Sequence, residues 1–321
     1  MTRQNKLLFK ILLASILIFA LSLAFSKKER SAHKSIESAI LNPSYKNEVN
    51  LIEIETREGS SITLKRHGDF WLLSNTFENG NEICTIADSK IISSLLENAG
   101  KIRNIYRISD KESDYNSLGL GKNTETCITI SQNNIKMYTK VHFGHSDSFT
   151  NRIYFRSEAS NIVYETQNDF HQYLTSEPNY WSEGTITPEI TNPVQFSLKT
   201  NEEFIQESSN TKALDEKSPE FTSKSNTLLS LRHGQIWPES TINSANIIST
   251  LSIQDGSGRL AEVKFFKMQI GDNESYFYKK SIQASPVDSQ ENIFAFYSEN
   301  AVYEISAWTY ERIKSIFTQK N

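Results

Sequence analysis

Cysteine is nearly absent: Cys84 and Cys127 are the only two in 321 residues. That excludes a disulfide scaffold and any four-cysteine zinc site. Whether these two pair with each other is left open by sequence. Long basic runs are missing beyond the N-terminus, and the net charge is only -4. Nucleic-acid binding therefore has no electrostatic support. Apolar residues make up only 37% of the chain, and one N-terminal run takes a share of them. Aromatics are not scarce: 18 Phe, 13 Tyr and 4 Trp argue against a disordered chain. The length suits one large domain or two ordinary ones.

Catalytic signatures are missing too. Leu118-Gly119-Leu120-Gly121-Lys122 lacks the spacing of a phosphate loop and reads as a turn. Asp255-Gly256-Ser257-Gly258 is not a nucleophile elbow and reads as a loop. Acidic residues are scattered, with no pair to place across a cleft. His142 and His145 could suggest a metal. On a strand, however, positions i and i+3 face opposite sides, so exposed histidines at a strand end is the better reading. No residue is assigned a catalytic, cofactor-binding or metal-ligating role, and no cofactor is expected.

The N-terminus carries the longest apolar run. Residues 7–26 contain one charge, Lys10, which can snorkel to the interface. Twenty helical residues at ~1.5 Å rise just span a ~30 Å hydrocarbon core. Arg3, Lys6 and Lys10 precede the uncharged core from Ile11 to Ser26, while Lys27, Lys28 and Arg30 follow it, so charge does not settle orientation. An uncleaved transmembrane signal-anchor leads. A cleaved signal, cut after Ala24, stays open. Both readings export the rest of the chain; the anchor places a single-pass protein in the inner (cytoplasmic) membrane with its C-terminal bulk extracytoplasmic.

Residues 27–48 are polar and read as a stalk. From Val49 the pattern becomes strand-like, with period-two alternation over Leu51–Glu55. His67-Gly68 marks a hairpin. Thr85 to Asp88 reads as a capping box opening a helix, with Ile91, Ile92, Leu95, Leu96, Ala99 and Ile102 on one face. Further strands are expected at 127–131, 135–143, 152–156 and 162–165, then a short helix carrying Phe170, Tyr173 and Leu174. Arg66-His67-Gly68-x-x-Trp71 returns as Arg232-His233-Gly234-x-x-Trp237. Ile91–Leu95 returns as Ile247–Leu251, which predicts a second helix. Asn161-x-Val163-Tyr164-Glu165 returns as Asn300-x-Val302-Tyr303-Glu304. The order implies an internal duplication. Two related α+β units, each an antiparallel sheet with packed helices, are expected at 49–190 and 191–321, with 202–225 a polar loop. The repeated His67 and His233 read as hairpin punctuation, with Gly supplying positive φ and Trp anchoring the turn.

With these residues in place, the chain resembles the domain of unknown function 4340 family. The resemblance rests on the Trp71 hairpin, the helix from Asp88 to Lys101, and the Ser117-Leu118-Gly119-Leu120 turn. It also rests on the Val141-His142-Phe143-Gly144 strand end and on Tyr154 with Val163-Tyr164. It covers about 62–181 well and the second unit weakly. Gly121-Lys122-Asn123 stands where the family usually has a proline. The resemblance implies an anchored extracytoplasmic domain, akin to auxiliary subunits of gliding-type ABC transporters, and transfers no catalytic residue. The expected function is a non-enzymatic, membrane-anchored interaction module with a membrane-protein partner. A ligand-binding protein using a cleft between the units is the alternative, and an envelope hydrolase a lesser one.

Overall fold

In the computed structural model, Ser15 and residues 35–318 are described, except 58, 69, 77–79, 81, 133–134, 148, 201–203, 209–217, 243–244, 271–272 and 284–299. The expected span at 7–26 lies outside them, Ser15 apart. Among the described residues no helix is long and apolar enough to cross a membrane.

The chain is mixed α+β and builds two antiparallel sheets. The first holds β1 (Ser35–Ser38), β2 (Leu51–Glu55), β3 (Ser61–His67), β4 (Phe70–Thr76) and β5 (Glu82–Ile86). It is completed by β6 (Arg103–Ser109), β7 (Thr126–Gln132), β8 (Lys136–Asp147), β9 (Arg152–Ser157) and β10 (Val163–Gln167). Its order is β1-β6-β10-β9-β8-β7-β2-β3-β4-β5. The second holds β11 (Pro193–Thr200), β12 (Phe204–Ser208), β13 (Ile236–Pro238), β14 (Asn246–Asp255), β15 (Leu260–Ile270), β16 (Asn273–Gln283) and β17 (Ala301–Ile305). Its order is β12-β11-β14-β15-β16-β17-β13. Four α-helices accompany them among the described residues: α1 (Ser89–Gly100), α2 (Pro178–Trp181), α3 (Pro219–Ser230) and α4 (Ala307–Thr318).

Local chemistry explains these elements. In β2 the alternation buries Ile52 and Ile54 and exposes Glu53 and Glu55. Gly68 takes φ +57 at the β3–β4 turn, where an L side chain would be strained. Helix α1 is capped by Asp88, whose Oδ1 accepts from the Lys90 and Ile91 amides at 2.8 and 3.4 Å. Thr85, expected in the cap, lies in β5 instead. Ile92, Leu95, Leu96 and Ala99 form the buried face. The helix ends at Gly100, and Ile102 is left 65% exposed. The expected stalk joins the fold from Ser35 onward. Ser35 to Ser38 pair with Tyr106 to Arg103, and Leu41 is buried with its amide donating to Ala99 O at 2.9 Å.

The duplication is visible in topology, but in a different register from the repeated motifs. Without β1, β4 and β5, the first sheet runs β6-β10-β9-β8-β7-β2-β3; the second runs β13-β17-β16-β15-β14-β11-β12. Each strand of one series has its counterpart in the other, in the same sequence order. Helix α1 precedes β6 as α3 precedes β13. So α1 answers α3, not Ile247–Leu251, which lie in β14. That segment alternates burial with period two and carries β-branched Ile247, Ile248 and Thr250, which suit a pleated strand. The 202–225 stretch, expected as a loop, contains β12 and most of α3. Ser218 caps α3 by accepting from the Phe221 amide at 3.1 Å, and Pro219 opens it. Of the repeated motifs, Asn-x-Val-Tyr-Glu alone falls on equivalent strands, β10 and β17, each followed by a helical turn or helix.

Both sheets share one apolar core. Leu73, Ile83 and Trp181 belong to the same buried cluster as Leu231, Tyr278 and Tyr303. A smaller cluster of Ile242, Phe266, Phe277 and Val302 packs separately.

Candidate functional site

The densest set of buried polar groups lies where the two sheets meet. Residues 182–192 thread the seam. Ser182 bridges Ala87 of the first unit, and Thr185 bridges Arg232 of the second. The Glu183 amide donates to Ile86 O at 2.9 Å, and the Ile186 amide to Leu231 O at 3.1 Å. The Arg232 guanidinium packs over Gly184, 2.3 Å from where a Cβ would sit, so a larger residue there would displace that side chain.

Glu189 and Lys280 form an ion pair of 2.7 Å at this seam, with side chains 0% and 2% exposed. Lys280 Nζ also lies 3.4 Å from Ile186 O and 5.2 Å from the Tyr303 ring. Tyr278 and Tyr303 stack with centroids 4.7 Å apart. The Tyr303 hydroxyl shares a 2.6 Å hydrogen bond with Thr85 Oγ1, tying β17 to β5. Burial pushes both phenols well above the usual range, so both stay protonated. His233 packs on Tyr303 at 4.9 Å, and its ring nitrogens lie 2.9 Å from Gly234 O and Glu183 O. Burial lowers its pKa, so the neutral ring can donate to only one of the two carbonyls at a time.

This cluster has the residue types of chemistry but not the access. Lys280, Glu189, Tyr278 and Tyr303 are all buried. The opening beside them is a cleft of about 330 Å³ lined by Phe70, Trp71, Glu183, Thr185, Thr187 and Leu229. What the arrangement does physically is fasten one unit to the other. The one sequence signal for it is Lys280 itself, which occupies an inward position of β16 between Tyr278 and Ile282.

The residues singled out in sequence have separate fates. The Arg-His-Gly copies differ: His67 closes the β3–β4 hairpin, whereas His233 lies in the seam and starts no hairpin. Trp71 is 7% exposed and Trp237 37%. His142 and His145 do diverge. His142 is buried rather than exposed, 3.0 Å from Glu125 and hydrogen-bonded to Glu158. That bond holds the Glu158 carboxyl below its usual range. Exposed His145 instead lines a polar groove of about 470 Å³ with Arg57, Thr124, Thr126, His171 and Glu177. No group of three or more metal-ligating side chains converges among the described residues. Asp255 is a turn residue whose Oδ1 accepts from the Ser257 and Arg259 amides at 2.9 and 3.0 Å.

Cys84 in β5 and Cys127 in β7 are free and buried. Four strand spacings of ~4.8 Å separate them, roughly 19 Å in all, beyond the ~7 Å reach of a disulfide. Burial pushes both thiols up to about 11. Native protein at pH 7 should therefore resist maleimide, while denatured protein takes up label at both cysteines. Rapid labelling of the native chain would contradict this placement.

The fold and seam define a class: a duplicated antiparallel α+β body whose two units are joined through a buried polar contact. Residues 81–236 match the family model described as domain of unknown function (DUF4340), which supports assigning that segment to the family. The matched span starts beside β5, crosses the seam and ends in β13, so it reaches further into the second unit than the resemblance suggested. No curated protein and no solved structure matches the chain.

Proposed function

We propose that this chain is a non-enzymatic interaction module. It is anchored in the inner membrane by residues 7–26 and exposes its bulk on the extracytoplasmic side. The observation that carries the reading is the filled seam. The buried Glu189–Lys280 pair and the Tyr278–Tyr303 stack fill the centre of the seam, leaving beside them only the cleft of about 330 Å³. Recognition is thereby left to the surface. The edge strand β12 presents an exposed Phe204 and ends the second sheet, a geometry suited to strand addition. The partner we propose is a membrane complex of the ABC-transporter type, on the strength of the family resemblance alone.

The test is crosslinking in intact membranes, then purification of the full chain in mild detergent. A defined membrane-protein partner should co-purify, and replacing Phe204 by Lys should reduce its yield severalfold. Recovery of the lone chain would remove the reading's support.

A further inference from the structure

A further cavity, of about 480 Å³, lies away from the seam at the β1 side of the first sheet. Lys101, Arg103 and Arg152 line it, with Thr150 and Asn151. Arg103 is unusual. Its side chain is only 6% exposed, with the guanidinium 4.9 Å from the Phe170 ring centroid. Nε and Nη2 are held by Lys101 O and Asn98. Nη1 is buried with no hydrogen-bond acceptor among the described residues; Asp169 lies 3.7 Å away, beyond hydrogen-bonding distance. The guanidinium is a buried charge whose nearest carboxylate lies 3.7 Å from Nη1, so an anion held in the cavity would add electrostatic compensation at short range. Asp169 and Glu165, which pairs with Arg152, are the carboxylates nearby, so the three cations keep an excess of positive charge.

Two exposed apolar side chains flank this cavity. Ile102 is part of its lining and is 65% exposed. Phe149, at the tip of the β8–β9 hairpin next to Thr150, is 98% exposed. A cation-lined pocket rimmed by protruding apolar groups has the chemistry of the membrane interface, where headgroup phosphates lie beside acyl chains. Chain connectivity agrees. Ser35 pairs with Tyr106, which also lines the cavity. Only residues 27–34 separate Ser35 from the apolar run, and eight residues reach at most roughly 30 Å.

We infer that this cavity binds the phosphate of an anionic phospholipid headgroup, with Phe149 and Ile102 entering the bilayer surface. The inference shares with the proposed function only the membrane anchor. Cleavage of residues 7–26 would refute the anchor while leaving headgroup binding intact, so the two can fail separately.

The test titrates the full chain, in neutral detergent, with short-chain phosphatidylglycerol, short-chain phosphatidylcholine or inorganic phosphate, and reads binding by thermophoresis. Phosphatidylglycerol should bind at least tenfold more tightly than phosphatidylcholine. Arg103→Gln should weaken it at least tenfold. Lys101→Glu, at a side chain 64% exposed and so safe for folding, should weaken it severalfold. Phe149→Ser should weaken the lipid but not inorganic phosphate. Equal affinity for the two lipids, or wild-type affinity in both charge variants, would overturn the inference. Phosphate binding as tight as the lipid, with Phe149→Ser silent, would mean a free-anion site and overturn the lipid assignment.

Discussion

Replacing Lys280 by Met should lower the unfolding free energy by about 3–5 kcal/mol, the cost of stranding one member of a buried ion pair. Glu189 is 0% exposed and would be left buried without its cation 2.7 Å away. The Tyr303 ring would lose a cation at 5.2 Å, and Ile186 O the Nζ at 3.4 Å. The double change Lys280→Met with Glu189→Met should recover most of the loss, because two apolar side chains leave no buried charge behind. Urea unfolding in mild detergent would read both, through a shift of midpoint at constant slope. A loss below about 1 kcal/mol in the single variant would mean that the pair is solvated, as surface pairs are.

Gly144→Ala should cost about 1–3 kcal/mol by overpacking. A Cβ there would lie 2.2 Å from Leu118 O and 2.9 Å from Leu120 Cγ. The first of these is backbone, which cannot swing aside. That same carbonyl accepts from the His145 amide at 2.9 Å, so the turn must leave the strand to make room. Gly119→Ala should behave similarly for two reasons. Its φ of +72 strains any L side chain, and its Cβ would meet the His145 ring at 1.7 Å. Thus the Ser-Leu-Gly-Leu turn and the Val-His-Phe-Gly strand end are two halves of one contact. Hydrogen exchange at the His145 amide should speed up in both variants; unchanged exchange would show that the turn does not depend on these glycines.

Much of the first unit was legible because its signals are local. Asp88 before an apolar helical face, Gly68 in a two-strand turn and the alternation of β2 each follow from backbone geometry within a few residues. The second unit was less legible. Helix α3 buries only Phe221, Ser225 and Leu228, so its apolar pattern is faint beside its polar neighbours. Ile247–Leu251 looked like a copy of Ile91–Leu95, but only the latter follows a capping aspartate. Two words that differ only at Ser94 and Thr250 therefore folded differently. The duplication was inferred from three words, of which one sits on equivalent strands; strand order establishes the true correspondence.

The seam was largely illegible because it is assembled over long separations. Thr85 meets Tyr303, and Glu189 meets Lys280, through pairings that no local pattern encodes. His233 drew attention for its place in a repeat, yet its position is set by Glu183 and Gly234 carbonyls rather than by a hairpin.

The central claim is that the seam makes the two units one body. Scanning calorimetry of the full chain in mild detergent tests it most directly. One transition is predicted, with equal van't Hoff and calorimetric enthalpies. Two separable transitions in the wild-type chain, unchanged by Lys280→Met, would contradict it.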